Sequence, residues 1–270
     1  MPTSTLPIPL CPRFELHALR GLAWQGRTRA GLRVSGAVGT HAGGRLRNED
    51  AFAVNARHNR VVVADGMGGH PGGHLAAETA VQSLADLPAS SRRGVERAPR
   101  LQAMLEDELV TAHERIRARR PQDPARPMAT TVVALWFVAD LAVYAHVGDS
   151  RLYRWRGGRL TPLTLDHNAV GEALRLGVDP REVADLPAHL ISRALGLGEA
   201  LCPDSGRCAV LPGDRYLLCT DGLCGPVDDR TITAVLGEGG DCGAVMRALF
   251  EEALRAGAPD NITIAVVDAH

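Results

Sequence analysis

The chain contains no lysine: all thirty of its basic residues are arginine. That absence excludes a lysine Schiff base, the ATP-contacting lysine of protein kinases and the lysine of a P-loop. Aromatic residues make up only 4% of the chain, so its core must be built from aliphatic side chains. No apolar run approaches the ~20 residues of a membrane span. The start of the chain, Met1-Pro-Thr-Ser-Thr-Leu-Pro-Ile-Pro-Leu10, is broken by prolines and lacks the basic residues of a signal peptide. An excess of either charge is missing too. A formal net charge of −1 gives no electrostatic case for nucleic acid or an anionic membrane as partner. The six cysteines form no CxxC pair. Cys219 and Cys224 match only the loosest zinc spacing, and Cys219 sits in an apolar run that reads as core. The simplest setting is a reducing cytoplasm.

What is present is ample core. Hydrophobic residues make up 45% of 270 positions and charged residues 23%, the balance of a soluble globular protein. Residues 1–30, with prolines, arginines and scattered apolar side chains, read as a weakly packed extension. Residues 31–270 read as a single domain. Alternating or continuous apolar runs predict strands at 33–40, 51–54, 61–64, 129–138, 141–147, 151–156, 159–165, 208–211, 215–220 and 262–267. Helical spacing predicts helices at 75–86, 101–120, 229–236 and 241–256. Residues 168–190 look helical and looped. The whole reads as an α+β domain with two groups of antiparallel strands.

One stretch organises the rest: Val61-Val-Val-Ala-Asp-Gly-Met-Gly-Gly-His-Pro-Gly-Gly-His74. A buried strand delivers Asp65 to its own edge, and a side-chain-poor loop lets another group approach the backbone. Asp-Gly after a strand is also an ordinary turn signal. A dinucleotide-binding GxGxxG fails here, because its third glycine would fall on Pro71. The pattern recurs, however. Asp149, Asp221 and Asp260 each stand at a strand end, and Glu49-Asp50 directly precedes Ala-Phe-Ala-Val. Antiparallel neighbours can bring such edges to one rim. Carboxylates converging there cannot all remain ionised without cations, and an oxygen-only donor set suits Mg²⁺ or Mn²⁺. Two such ions about 3.5–4 Å apart could acidify a bridging water for attack on phosphorus.

The strings themselves resemble a known family. Arg45-Leu-Arg-Asn-Glu-Asp50, Asp65-Gly-Met-Gly-Gly-His70, Gly148-Asp-Ser-Arg151, Leu163-Thr-Leu-Asp-His167, Cys219-Thr-Asp-Gly-Leu223 and Asp260-Asn261 are similar, in order, to the motifs of metal-dependent Ser/Thr protein phosphatases of the protein phosphatase 2C type, in their bacterial form. The resemblance covers residues 32–268. It implies two packed antiparallel β-sheets flanked by helices, an α-β-β-α sandwich, with a binuclear Mg²⁺ or Mn²⁺ centre at one end. Carried over by position, Asp65 bridges the ions and the Gly66 carbonyl binds one of them. Asp221 and Asp260 complete the first ion's ligands, while Glu49-Asp50 serves the second, directly or through water. Asp149, with Asp221, matches a third and weaker site.

Arg45 matches the phosphate-binding arginine, whose planar guanidinium can grip two phosphate oxygens. Some relatives carry a histidine as general acid two residues after the bridging aspartate. Here that position is Met67, and His70 is the nearby substitute; its alternative is a loop histidine that merely hydrogen-bonds. His74 stands where relatives often have an acid, without expected catalytic consequence. Residues 168–190 match a variable flap beside the active site.

The resemblance implies a cytoplasmic, monomeric bacterial signalling enzyme. A metal-activated water hydrolyses phosphoserine or phosphothreonine in protein substrates without a phosphoenzyme, reversing a cognate Ser/Thr kinase. Two alternatives stay open: a catalytically dead binding module, which predicts lost metal ligands, and a phosphatase of small metabolites, which would use the same chemistry.

Overall fold

The computed structural model describes residues 20–28, 30–67, 71–85, 87, 97–120, 128–183 and 185–270. In chain order the strands are β1 (Arg20–Arg27), β2 (Arg33–His41), β3 (Ala51–Asn55), β4 (Arg60–Ala64) and β5 (Gly66–Met67). Helices α1 (Pro71–Ala85) and α2 (Arg97–Arg119) follow, then β6 (Ala129–Thr130), β7 (Val132–Val138), β8 (Leu141–Val147), β9 (Arg151–Arg156) and β10 (Arg159–Pro162). Helix α3 (Ala169–Arg175) leads to β11 (Asp204–Ala209) and β12 (Arg215–Cys219). The chain closes with α4 (Asp221–Cys224), α5 (Asp229–Gly237), α6 (Cys242–Arg255) and β13 (Ile262–Ala269).

Two antiparallel sheets carry the fold, in the orders β1-β2-β13-β12-β9-β10 and β11-β8-β7-β4-β3. Their strands alternate between two cores, which is why so many read as unbroken apolar runs. Along β4, Val61 and Val63 face the inter-sheet core, while Val62 and Ala64 pack under α1 and α2. Along β13, Ala265 and Val267 face inward and Ile262, Ile264 and Val266 meet α6. Each helix layer therefore seals one outer sheet face, giving the expected α-β-β-α sandwich. Among the described residues no helix is long and apolar enough to cross a membrane.

Two expectations need correction. The weakly packed extension does not run to residue 30. Arg20–Arg27 is a full edge strand, in register with β2. Trp24 lies opposite Gly36, and a Cβ on Gly36 would collide with the Trp24 ring, so the glycine makes room for the one large side chain β1 contributes. Residues 1–19 lie outside the described residues. The strand expected at 208–211 instead occupies Asp204–Ala209. Asp-Ser-Gly-Arg has little strand propensity, but six residues pair with β8, and Ser205 hydrogen-bonds to Glu106 and Gln102 of α2. Tertiary pairing overrides local preference there.

Antiparallel register fixes where the acids go. Ala51 pairs with Ala64, so Asp50, just before β3, and Asp65, just after β4, are neighbours. Cys219 pairs with Ile264, which sets Asp221 and Asp260 side by side at the matching end of the other sheet. Asp149 lies where the chain crosses from β8 to β9, between the sheets. Gly148 makes that crossing at φ +103°, and a Cβ there would come within 2.6 Å of Thr131. Five acidic sites separated in sequence thus share one end of the sandwich.

Candidate metal centre

Arg45, Glu49, Asp65, Gly66, Asp221 and Asp260 line one cleft of about 560 Å³. Asp50 and Asp149 are buried behind its wall. His70 lies outside the described residues, so no geometry attaches to it. His74 is exposed on α1 and sits 3.2 Å from Glu78, one helical turn on.

Each carboxylate is held by a specific set of contacts. Asp50 Oδ2 accepts hydrogen bonds from Thr220 Oγ1 (3.0 Å) and Thr263 Oγ1 (2.7 Å), and Thr263 Oγ1 lies 2.8 Å from Thr40 Oγ1. These threonines come from the ends of β2, β12 and β13. Asp65 is fixed through its backbone: its N–H donates to Thr131 Oγ1 (3.1 Å), and its carbonyl accepts from the Thr131 N–H (2.9 Å). Thr131 Oγ1 also sits 2.7 Å from Ser150 Oγ, coupling the Asp65 turn to the Asp149 turn. Asn261 acts as a clamp. Its Oδ1 accepts from the Glu49 N–H (2.8 Å), and its Nδ2 donates to the carbonyls of Ala42 (2.9 Å) and Arg47 (2.8 Å). Arg45 Nη2 donates to Asp260 Oδ2 at 2.7 Å, with the guanidinium half exposed and reachable from the cleft.

Proximity and burial push Asp50, Asp65, Asp149 and Asp221 in the same direction. Burial first, then the neighbouring Asp221 and Asp260 charges, push Asp50 up to about 7 against the pull of its two threonine hydroxyls. Burial and the charge of Asp221 raise Asp149 to about 7. Asp65 is driven well above the usual carboxylate range by burial and by Asp50, Asp221, Asp149 and Asp260. Asp221 rises through burial and Asp260, opposed by a hydrogen bond with Asp65 and by Arg45. Like charges crowded in a low-dielectric wall call for cations or protons.

The oxygens fit cations. Oδ1 of Asp50, Asp149 and Asp221 is buried without a hydrogen-bond partner among the described residues. Backbone room is also present: a Cβ on Gly66 would strike the Glu49 carbonyl, and one on Gly73 the Glu49 carboxylate. Gly66 and Gly73, having no Cβ, therefore let the start of α1 lie close against Glu49. The donor set is oxygen-only, as hard divalent ions require.

A second cluster, His146, His167 and Asp204, brings three potential ligand atoms within 4.8 Å of one another. Its chemistry is that of a strut, not a metal site. His167 Nδ1 accepts the Gly148 N–H at 3.2 Å, which puts the proton of the neutral ring on Nε2, 3.4 Å from Asp204. Asp204 is also met by Arg175 (2.6 Å) and Arg193 (3.4 Å), whose positive charges oppose a cation. The rings of His146 and His167 stack at 4.5 Å. Through them the turn carrying Asp149 is tied to the 168–190 segment, where Asn168 bridges Ile191.

The structure also explains two motif residues with no assigned role in the sequence. Arg151 grips Asp166 with two parallel bonds, Nε–Oδ1 at 2.9 Å and Nη2–Oδ2 at 2.7 Å, so two of the motif strings hold each other. Thr220, Thr263 and Asn261 were missed as site residues. Thr220 and Asn261 left a trace, each beside a strand-end aspartate within a motif, whereas Thr263 left none. Cys219 packs in the core under α4–α6.

Comparison with known proteins adds a separate line. A family model for protein phosphatase 2C matches residues 39–260. The serine/threonine protein phosphatase PstP of Mycobacterium tuberculosis is 36% identical over 227 residues, 83% of this chain but 42% of that protein. The chain thus spans less than half the length of that relative. PppA, described as a key regulatory component of T6SS in Pseudomonas aeruginosa, superposes with a TM-score of 0.76 at 34% identity, covering 93% of this chain and 98% of its own. The catalytic domain of PstP in complex with two manganese ions gives a TM-score of 0.68 at 33% identity, with the same coverage.

Proposed function

The chain belongs to the protein phosphatase 2C family, and from that premise we propose that it hydrolyses phosphoserine and phosphothreonine in protein substrates with the help of bound divalent ions. The observation that carries this reading is the convergence of Glu49, Asp50, Asp65, Asp149, Asp221 and Asp260 on one end of the sandwich, where Oδ1 of Asp50, Asp149 and Asp221 is buried without a hydrogen-bond partner among the described residues. Asp65, the Gly66 carbonyl, Asp221 and Asp260 would hold one ion, and Asp65 with Glu49 or Asp50 a second. Asp149 with Asp221 would hold a third, weaker one. Bound there, Mg²⁺ or Mn²⁺ supplies Lewis acidity and an acidified water for in-line attack on phosphorus.

The chain's own residues do the rest. Arg45 stands at the cleft mouth, where its guanidinium can leave Asp260 and grip two phosphate oxygens. Thr220 and Thr263 hold one oxygen of Asp50 and thereby turn the other toward the site. Asn261 locks the Glu49 backbone to the strand of Asp260. His70 is the proposed proton donor to the departing serine or threonine oxygen. The reading carries with it a partner Ser/Thr kinase and a cytoplasmic, monomeric enzyme.

The test is hydrolysis of a phosphothreonine peptide by the purified protein with Mn²⁺ and with EDTA, beside Asp65→Asn. Turnover that needs Mn²⁺ and disappears in a folded Asp65→Asn protein is expected. No turnover from folded, Mn²⁺-loaded protein would favour a binding module instead.

A further inference from the structure

Resting on the phosphatase reading, we infer that the enzyme selects phosphorylated segments in which a bulky aliphatic residue adjoins the phosphoserine or phosphothreonine. The subsite is formed by Leu46, Met67 and Ile191. All three line the same space as Asp65, Asp221 and Asp260. Leu46 is the most exposed of the large hydrophobic residues described.

It is not a loose loop tip. The residues on either side are pinned: the Arg45 N–H donates to the Ala42 carbonyl at 3.1 Å, and the Arg47 carbonyl accepts from Asn261 Nδ2 at 2.8 Å. Met67 and Ile191 are fixed as well. Met67 pairs with Ala129, Ile191 bridges Asn168, and the next N–H, of Ser192, donates to the His167 carbonyl at 2.8 Å. A leucine held in water in the same cleft as a partly buried methionine and isoleucine has apolar area that nothing among the described residues covers.

Charge names the occupant. Leu46 is flanked by two arginines that also line the cleft: Arg45 pairs there with Asp260 but stays half exposed, and Arg47 shows no ion pair among the described residues. A ligand suited to this tripeptide carries a dianion and an aliphatic group a few ångströms apart. An extended phosphopeptide does so, since adjacent residues are about 3.3 Å apart along the chain. The cleft volume, about 560 Å³, falls within the roughly 300–1,000 Å³ of sites that enclose whole ligands rather than a lone phosphate.

The experiment compares phosphothreonine peptides identical except for Leu or Ser immediately before or after the phosphothreonine, using the full chain with Mn²⁺. At one of the two positions kcat/KM should favour Leu by about tenfold, mostly through KM, the size of effect one buried aliphatic side chain gives. Leu46→Ser should shrink that ratio to about twofold and Leu46→Met should retain it. Ile191→Ser should lower it independently. A Leu-to-Ser ratio near one at both positions in the wild type overturns the inference, as does a ratio that survives in both serine variants. Hydrolysis of p-nitrophenyl phosphate separates the two levels of argument. Mn²⁺-dependent turnover of that ester without peptide preference refutes the subsite alone, and its complete absence refutes the phosphatase reading on which the subsite rests.

Discussion

His146 offers a quantitative test of the strut behind the candidate metal centre. The ring is almost fully buried at the end of β8, stacked on His167, with Asp204, Arg175 and Arg193 beyond. Burial first, then the neighbouring His167 and the two arginines, push it down to about 3, and only Asp204 pulls the other way. The native ring therefore stays neutral at pH values where an unfolded histidine, near 6.5, takes up a proton. Below 6.5 the unfolded state binds more protons than the native state, so stability is full above that pH and is lost as pH falls toward 3. At pH 5 the gap is about 1.5 pH units, worth roughly 2 kcal/mol at 1.36 kcal/mol per unit. For a chain of this size that is a Tm loss of about 4–8 °C between pH 7 and pH 5.

His146→Phe keeps an aromatic ring on His167 and removes the titrating group. Thermal unfolding of both proteins at pH 7 and pH 5 isolates the term, because His167 and the acids titrate in each and largely cancel. The wild type should lose about 4–8 °C more than the variant. Equal losses would mean that the buried ring does not pay this penalty and that the strut is wetter than its geometry indicates.

Other outcomes follow from the same contacts. Asn261→Ala removes three hydrogen bonds around Glu49 and should cost about 2–3 kcal/mol in urea unfolding, together with weaker Mn²⁺ binding by calorimetry. A stable variant with unaltered Mn²⁺ affinity would show the clamp to be dispensable. Arg45→Ala should raise KM for a phosphopeptide far more than it weakens Mn²⁺ binding; an unchanged KM would put the phosphate elsewhere. His70→Ala should flatten the limb of the pH–rate profile that reports the proton donor, whereas an unaltered limb would return His70 to a hydrogen-bonding role.

Local signals carried far. Apolar runs marked β4, β7, β8, β12 and β13 because each is covered on both faces, and that coverage leaves a continuous signature in the chain itself. Helical spacing placed α2, α5 and α6 to within a few residues. The acids at strand ends were visible as a recurring pattern, and their ordered motifs named the family. Edge strands were less legible. β1 and β11 are partly exposed and carry arginine, glycine and serine, so nothing in their own residues distinguishes them from loop until a neighbour's backbone pairs with them.

The sequence by itself determined which residues could bind hard cations, since residue type sets donor chemistry and strand ends set exposure. Tertiary structure alone decided how those residues are held. Asp50 is fixed by hydroxyls 170 and 213 positions away, and Glu49 by an amide 212 positions away. No local periodicity encodes such pairs. They exist because antiparallel register, set by the two cores, brings the ends of β2, β3, β4, β12 and β13 to one rim, where short polar side chains meet across the gap between the sheets.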